Sequence, residues 1–117
     1  DGETARTSEI RNLGLAKLTL NLFNPLHLNL NLRGDEITAT LHERESGSPR
    51  FELQRVYLET RQGRDRVLDK WRLEPAVLEN GQRIYEVSAT PSRTFDSLYV
   101  VAEYSGALVA EKQIPLR

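Results

Sequence analysis

The feature that most constrains this chain is a comb of leucines near its N-terminus. Leu18, Leu20, Leu22, Leu26, Leu28, Leu30 and Leu32 all fall on even positions, with Thr19, Asn21, His27, Asn29 and Asn31 between them. A β-strand throws successive side chains to opposite faces, so this alternation makes one apolar face and one wet face. A helix would scatter the same leucines around its circumference. Asparagine is also a poor helix former, and Pro25 blocks a helix interior. The reading is therefore strand on both sides of Asn24-Pro25. Proline cannot donate to a ladder, so the pair marks a bend, bulge or edge exit. The phase survives across it, which is compatible with one long kinked strand and with a hairpin.

Alternation continues down the chain. Arg33-Gly34-Asp35 reads as a turn. Ile37, Ala39 and Leu41 give a strand over roughly 36–43, and residues 43–50 form a loop rich in Ser, Gly and Pro. Phe51, Leu53, Val56 and Leu58 follow, with a phase slip that predicts a bulge near Gln54-Arg55. Leu68, Trp71 and Leu73 mark a strand ended by Glu74-Pro75, with one helical turn expected over Ala76 to Leu78. Asn80-Gly81 is a tight-turn dipeptide, both residues tolerating positive φ. Tyr85, Val87 and Ala89 alternate, then Leu98, Val100, Ala102 and Tyr104. Ser105-Gly106 turns the chain into a closing strand with Leu108, Ala110, Ile114 and Leu116. Phase places Trp71 and Tyr85 in the core and Tyr57 and Tyr99 on the wet side. A core Trp71 would cost about 3–5 kcal/mol when cut to alanine.

Short strands every 8–12 residues with turn chemistry between them mean a sandwich or barrel. The expectation is a single all-β domain, an antiparallel Greek-key sandwich of about 7–9 strands over residues 13–117, behind a flexible polar lead-in of residues 1–12. The segment Asp96-x-Leu98-x-Val100-x-Ala102, with Trp71 upstream, resembles the closing region of immunoglobulin-like domains. Val100 stands where those domains have the corner tyrosine, and Ala102 where they have a cysteine. The resemblance covers about a third of the chain and implies a fold, not an activity. Leu22-Phe23-Asn24-Pro25-Leu26 is also similar to the Asn-Pro strand junction of late-embryogenesis-abundant type 2 domains. Another Greek-key arrangement remains open.

Composition narrows the function classes. With 16 Lys+Arg against 17 Asp+Glu, the net charge of -1 is not that of a dedicated nucleic-acid binder. There is no cysteine, hence no disulfide, thiolate metal site or cysteine nucleophile. No apolar run is long enough to span a membrane. The chain begins at Asp1 rather than Met, which reads as a matured or excised chain, and an extracytoplasmic setting, periplasmic or secreted, is expected.

No catalytic constellation is legible. There is no nucleophile elbow, no Gly-rich phosphate cradle and no metal-ligand spacing. His27 and His42 sit at outward positions, and an approach of His42-Glu43 to Asp35-Glu36 is the one metal arrangement to consider. The expectation is a non-enzyme with no cofactor and no metal. Arg55, Tyr57, Arg61, Arg64, Arg66 and Arg72 are the candidate binding residues, suited to anions, anionic glycans or acidic partners. Glu52, Glu59, Asp65 and Asp69 are interleaved with them, so cross-strand charge pairing on a solvated face explains the same pattern. The leucine comb reads first as core. Its alternative is strand exchange, in which an alternating segment adds to another subunit's sheet. The leading expectation is a protein-binding or assembly module, with a carbohydrate- or anion-binding module as the alternative. The oligomeric state is left open.

Overall fold

A computed structural model describes residues 15–22, 25–33, 35–43 and 51–115. The expected lead-in of residues 1–12 and residues 44–50 of the expected loop lie outside them. The described residues form nine strands. These are β1 (Leu15–Asn21), β2 (Pro25–Arg33), β3 (Glu36–Glu43), β4 (Leu53–Gln62), β5 (Arg66–Arg72), β6 (Glu74–Val77), β7 (Arg83–Ala89), β8 (Ser97–Tyr104) and β9 (Leu108–Ile114). All pairings are antiparallel. One sheet runs β1-β2-β3-β7-β6 and the other β5-β4-β8-β9. The all-β sandwich expected from the alternation is what the chain forms.

The leucine comb is a hairpin, which settles the choice left open between hairpin and kinked strand. Leu18 faces Leu28 and Leu20 faces Leu26, with Asn21 opposite Pro25. Pro25 is thus the first residue of β2, a place where a missing donor is tolerated. Leu28 and Leu30 then face Leu41 and Ala39 of β3. Leu20, Leu26, Leu28 and Leu30 are buried against Ile37, Leu41, Leu58, Leu98 and Val100 in one core. Each buried leucine contributes about 1.5–3 kcal/mol relative to staying exposed.

The chain passes from one sheet to the other three times. The link from β5 to β6 is the shortest, one residue, Leu73, whose amide donates to the Val56 carbonyl at 2.9 Å. This junction corrects the expected end at Glu74-Pro75. Both residues lie inside β6, and Ala76 and Val77 are strand, not helix. β6 is an edge strand, where a proline needs no ladder partner on its free side.

The bulge near Gln54-Arg55 is present, as a register shift between Leu53 and Arg55 against β8. A second, between Thr60 and Arg61 against β5, carries no apolar phase slip and was not legible. The Asn80-Gly81 turn is also different in kind. Only Gly81 has positive φ, at 84°, and the Gly81 amide donates to the Leu78 carbonyl at 2.9 Å. The Asn80 side chain instead accepts from the Gln82 amide at 2.9 Å, so its turn role is a local cap.

Of the aromatic expectations, one is met in part and one needs correction. Trp71 packs against the core, as expected, but on the edge strand β5 it is only half-buried. Tyr99, expected wet, is 7% exposed. Its strand β8 is central, and the Arg61 guanidinium lies over its ring, 3.8 Å from the centroid. Tyr85 is buried and Tyr57 half-buried.

Candidate functional site

The outward face of the four-stranded sheet holds most of the expected binding residues. Odd positions of β4 point outward, so Arg55, Tyr57, Glu59 and Arg61 line up along one strand. Register then places Lys70 and Tyr99 on either side of Glu59, and Arg72 and Val101 on either side of Tyr57. Arg61 is the hub. Its Nε and Nη2 donate to one Glu59 oxygen at 3.0 and 2.8 Å. Nη1 and Nη2 donate to the two oxygens of Glu111 at 2.9 and 3.3 Å. Nη1 also reaches the Arg64 carbonyl at 2.8 Å. Lys70 pairs with the second Glu59 oxygen at 3.6 Å and stands 4.2 Å over the Tyr57 ring.

Arg61 and Glu59 are 6% and 4% exposed, which is unusual on an outward sheet face. The long side chains roof one another. Burial works against the Arg61 charge, but the hydrogen bonds to Glu111 and Glu59 outweigh it and hold the guanidinium above its ordinary pKa. The Arg61 hydrogen bond holds the Glu111 carboxyl below its ordinary value. Arg61 is thus committed to two carboxylates.

The other candidates are dispersed. Arg55 pairs with Glu103 at 3.2 Å on an exposed part of the sheet. Arg66 donates to Gln62 at 3.2 Å, and Arg64 and Arg72 are exposed. Sequence inspection missed the partners Glu103 and Glu111, which come from β8 and β9 rather than from the charged stretch. Their signal was positional: both are acids on the wet phase of the closing strands. Asp69, read as a charge partner, instead holds the 90–96 connection. It accepts from the Ser92 amide at 3.0 Å and the Ser92 hydroxyl at 2.9 Å. Asp96 similarly shapes the β4–β5 turn, accepting from the Gly63 amide and the Ser97 hydroxyl, each at 2.7 Å.

Beside the Arg61 network lies an open polar concavity of about 540 Å³, lined by Gly63, Arg64, Ser97, Tyr99, Glu111, Lys112 and Gln113. The Tyr99 hydroxyl donates to Gln113 at 3.4 Å on its floor. Arg64 and Lys112 bring positive charge to it. The Gly63 amide, a natural anion donor, is already taken by Asp96.

His27 and His42 stand directly opposite each other across β2 and β3. Glu36 is at the far end of β3, so the arrangement of His42 with Asp35-Glu36 does not assemble. Among the described residues no group of three His, Cys, Asp or Glu side chains is placed to hold a metal ion. No helix among them is long and apolar enough to cross a membrane.

The sheet edges differ sharply. A bare edge strand presents unpaired donors and acceptors, and proteins usually blunt it with charge, proline, bulges or shortness. β6 has four residues and Pro75. β5 carries Arg66, Asp69, Lys70 and Arg72 and a bulge. β9 carries Glu111 and Lys112. β1 is seven residues long, has Lys17 as its one charge, no proline, and an unbroken register with β2. Because β5 runs straight into β6, those two edges adjoin. Counted across from that corner, the five-stranded sheet has one strand more than its partner, and that strand is β1. On the inward face at β1, Leu20 is buried while Leu18 and Leu22 on either side of it are half-buried.

The described residues define a two-sheet antiparallel β-sandwich with a charged outer face and, among those residues, an edge strand, β1, without a strand beyond it. Comparison with protein-family models, curated proteins and solved structures finds no match to this chain.

Proposed function

We propose that this chain is a non-catalytic protein-interaction or assembly module with immunoglobulin-like strand order, which binds an extended strand along β1. The order β2-β3-β7-β6 corresponds to strands A, B, E and D of such domains, and β5-β4-β8-β9 to C′, C, F and G. In that correspondence β1 is an added strand outside the basic set. The observation that carries the binding reading is the contrast among edges: among the described residues, β1 alone lacks the usual blunting devices. Strand addition draws affinity from the main chain and specificity from pockets for alternate side chains. The half-covered Leu18 and Leu22 supply an apolar lip for those side chains.

A photo-crosslinking residue tests this reading, placed in turn at Thr19 on β1, Arg72 on β5 and Val109 on β9, in cells that make the protein. Adducts confined to the Thr19 position support it. Adducts spread evenly, or confined to another edge, would sink it.

The concavity beside Arg61 favours a second reading, the binding of an anionic sugar by Arg64 and Lys112. Titration with a sulfated oligosaccharide, followed by amide shifts of Gly63, Ser97 and Gln113, separates the two. Saturable shifts lost in Arg64→Ala would favour the sugar.

A further inference from the structure

We propose that the occupant of the β1 edge is β1 of a second copy, paired antiparallel about a two-fold axis at Thr19, joining the two five-stranded sheets into one. The inference rests on the edge-binding reading above and names the partner.

The argument is one of self-complementarity. A two-fold contact must place the same patch against itself. With Thr19 opposite Thr19, Lys17 meets Asn21 of the second copy and Leu18 meets its Leu20. Like stays on the same face as like, because an antiparallel pairing of this register preserves the odd-even phase. Every inward leucine therefore remains inward, and the half-buried Leu18 of each copy lies beside Leu20 of the other. No like charges stand opposite, and Thr-Thr is a favourable cross-strand pair. The segment is also set apart in charge. Between residues 15 and 32 the sole ionisable side chains are Lys17 and His27, in a chain with 28% charged residues. An edge meant for solvent would carry more. β9, by contrast, carries two charged residues, Glu111 and Lys112.

In this register five residues of β1, Lys17 to Asn21, pair on each side. That is well below the roughly 20–30 residues per side of a standard stable interface. The association is consequently reversible and concentration-dependent rather than obligate.

The test is sedimentation velocity on the full chain from about 5 to about 500 μM, spanning free energies of association of about 5 to 7 kcal/mol. Wild type is expected to shift from monomer to dimer. Thr19 is exposed, and its side chain touches only the His27 ring, at 3.4 Å, among the described contacts. Thr19→Lys and Thr19→Glu should each weaken association about tenfold or more, because they set like charges directly opposite. An equimolar mixture of the two should restore a dimer, now a heterodimer. Val109→Lys on β9 should leave association unchanged. Unaltered circular dichroism and melting at low concentration show that each variant is folded.

Wild type that stays monomeric at the highest concentration overturns self-pairing, while crosslinks at Thr19 to another protein would leave the edge reading standing. A dimer indifferent to both Thr19 variants, or lost in Val109→Lys, overturns self-pairing through β1 as well. A mixture that fails to re-associate overturns the register.

Discussion

Removing the Arg61 guanidinium is the sharpest test of what roofs the four-stranded sheet. In Arg61→Ala, Glu59 stays buried with only Lys70 as a charge partner, 3.6 Å away. Breaking a buried pair by deleting one member costs about 3–5 kcal/mol, most of it the uncompensated charge. Lys70 remains to relieve Glu59, which places this case near the lower end. The Glu111 arm adds little, because that side chain is 47% exposed and surface pairs are worth about 0–1 kcal/mol. Uncovering the Tyr99 ring removes a cation–π contact of about 1 kcal/mol. The net expectation is a loss of about 3–4 kcal/mol, a large part of the roughly 5–15 kcal/mol that stabilises a typical domain. With a urea m-value of about 1.5 kcal/mol/M, the unfolding midpoint falls by about 2 M. The double variant Glu59→Leu with Arg61→Leu should recover most of that loss, because replacing both charges removes the desolvation problem. A loss below about 1 kcal/mol for Arg61→Ala would refute the reasoning. So would a double variant whose loss equals the sum of the single ones.

Three further predictions concern neighbouring features. The carboxyl of Glu111 has a lowered pKa, so its stabilising contribution is fully present above the ordinary value of 4.5 and lost as pH falls through the depressed one. The difference in urea midpoint between wild type and Glu111→Gln should therefore be constant near neutrality and shrink only in acid; a difference indifferent to pH contradicts the Arg61 pairing. Ala107 has φ of 60° in the β8–β9 turn, where a side chain is strained. Ala107→Gly should stabilise by about 0.5 kcal/mol, the relief of strain exceeding the added freedom of the unfolded chain, and a lowered melting temperature would argue against the turn geometry. Trp71→Ala should cost about 2 kcal/mol by urea unfolding, below the range for fully buried aromatics because the side chain is only half-buried; a loss above about 4 kcal/mol would place Trp71 deep in the core.

Strand placement was legible wherever one face is apolar and the other wet. The comb from Leu18 to Leu32, the run from Ile37 to Leu41 and the phase slip after Leu53 each follow from the two-residue period of a strand and from nothing else. That period is local, so sequence alone determined most strands, the inward set of leucines and the all-β class, but not β6 at Glu74–Val77, whose proline read as a strand end. Tertiary structure decided everything that depends on which strand is central and which is an edge. Tyr99, expected wet, is buried because β8 has neighbours on both sides and Arg61 over the ring, and Trp71, expected in the core, packs against it only partly because β5 is an edge. The candidate site divides the same way. Arg55, Tyr57 and Arg61 were recognisable as a row on β4, but Glu103 and Glu111, their partners, are about fifty residues away in the chain. Pairing across strands brings them together, and no spacing within the charged stretch encodes it. The bare edge at β1 is of the same kind. Its lack of charge is written in the sequence, but that it ends a sheet is a property of strand order, which the whole chain sets by burying its leucines against β3, β4 and β8.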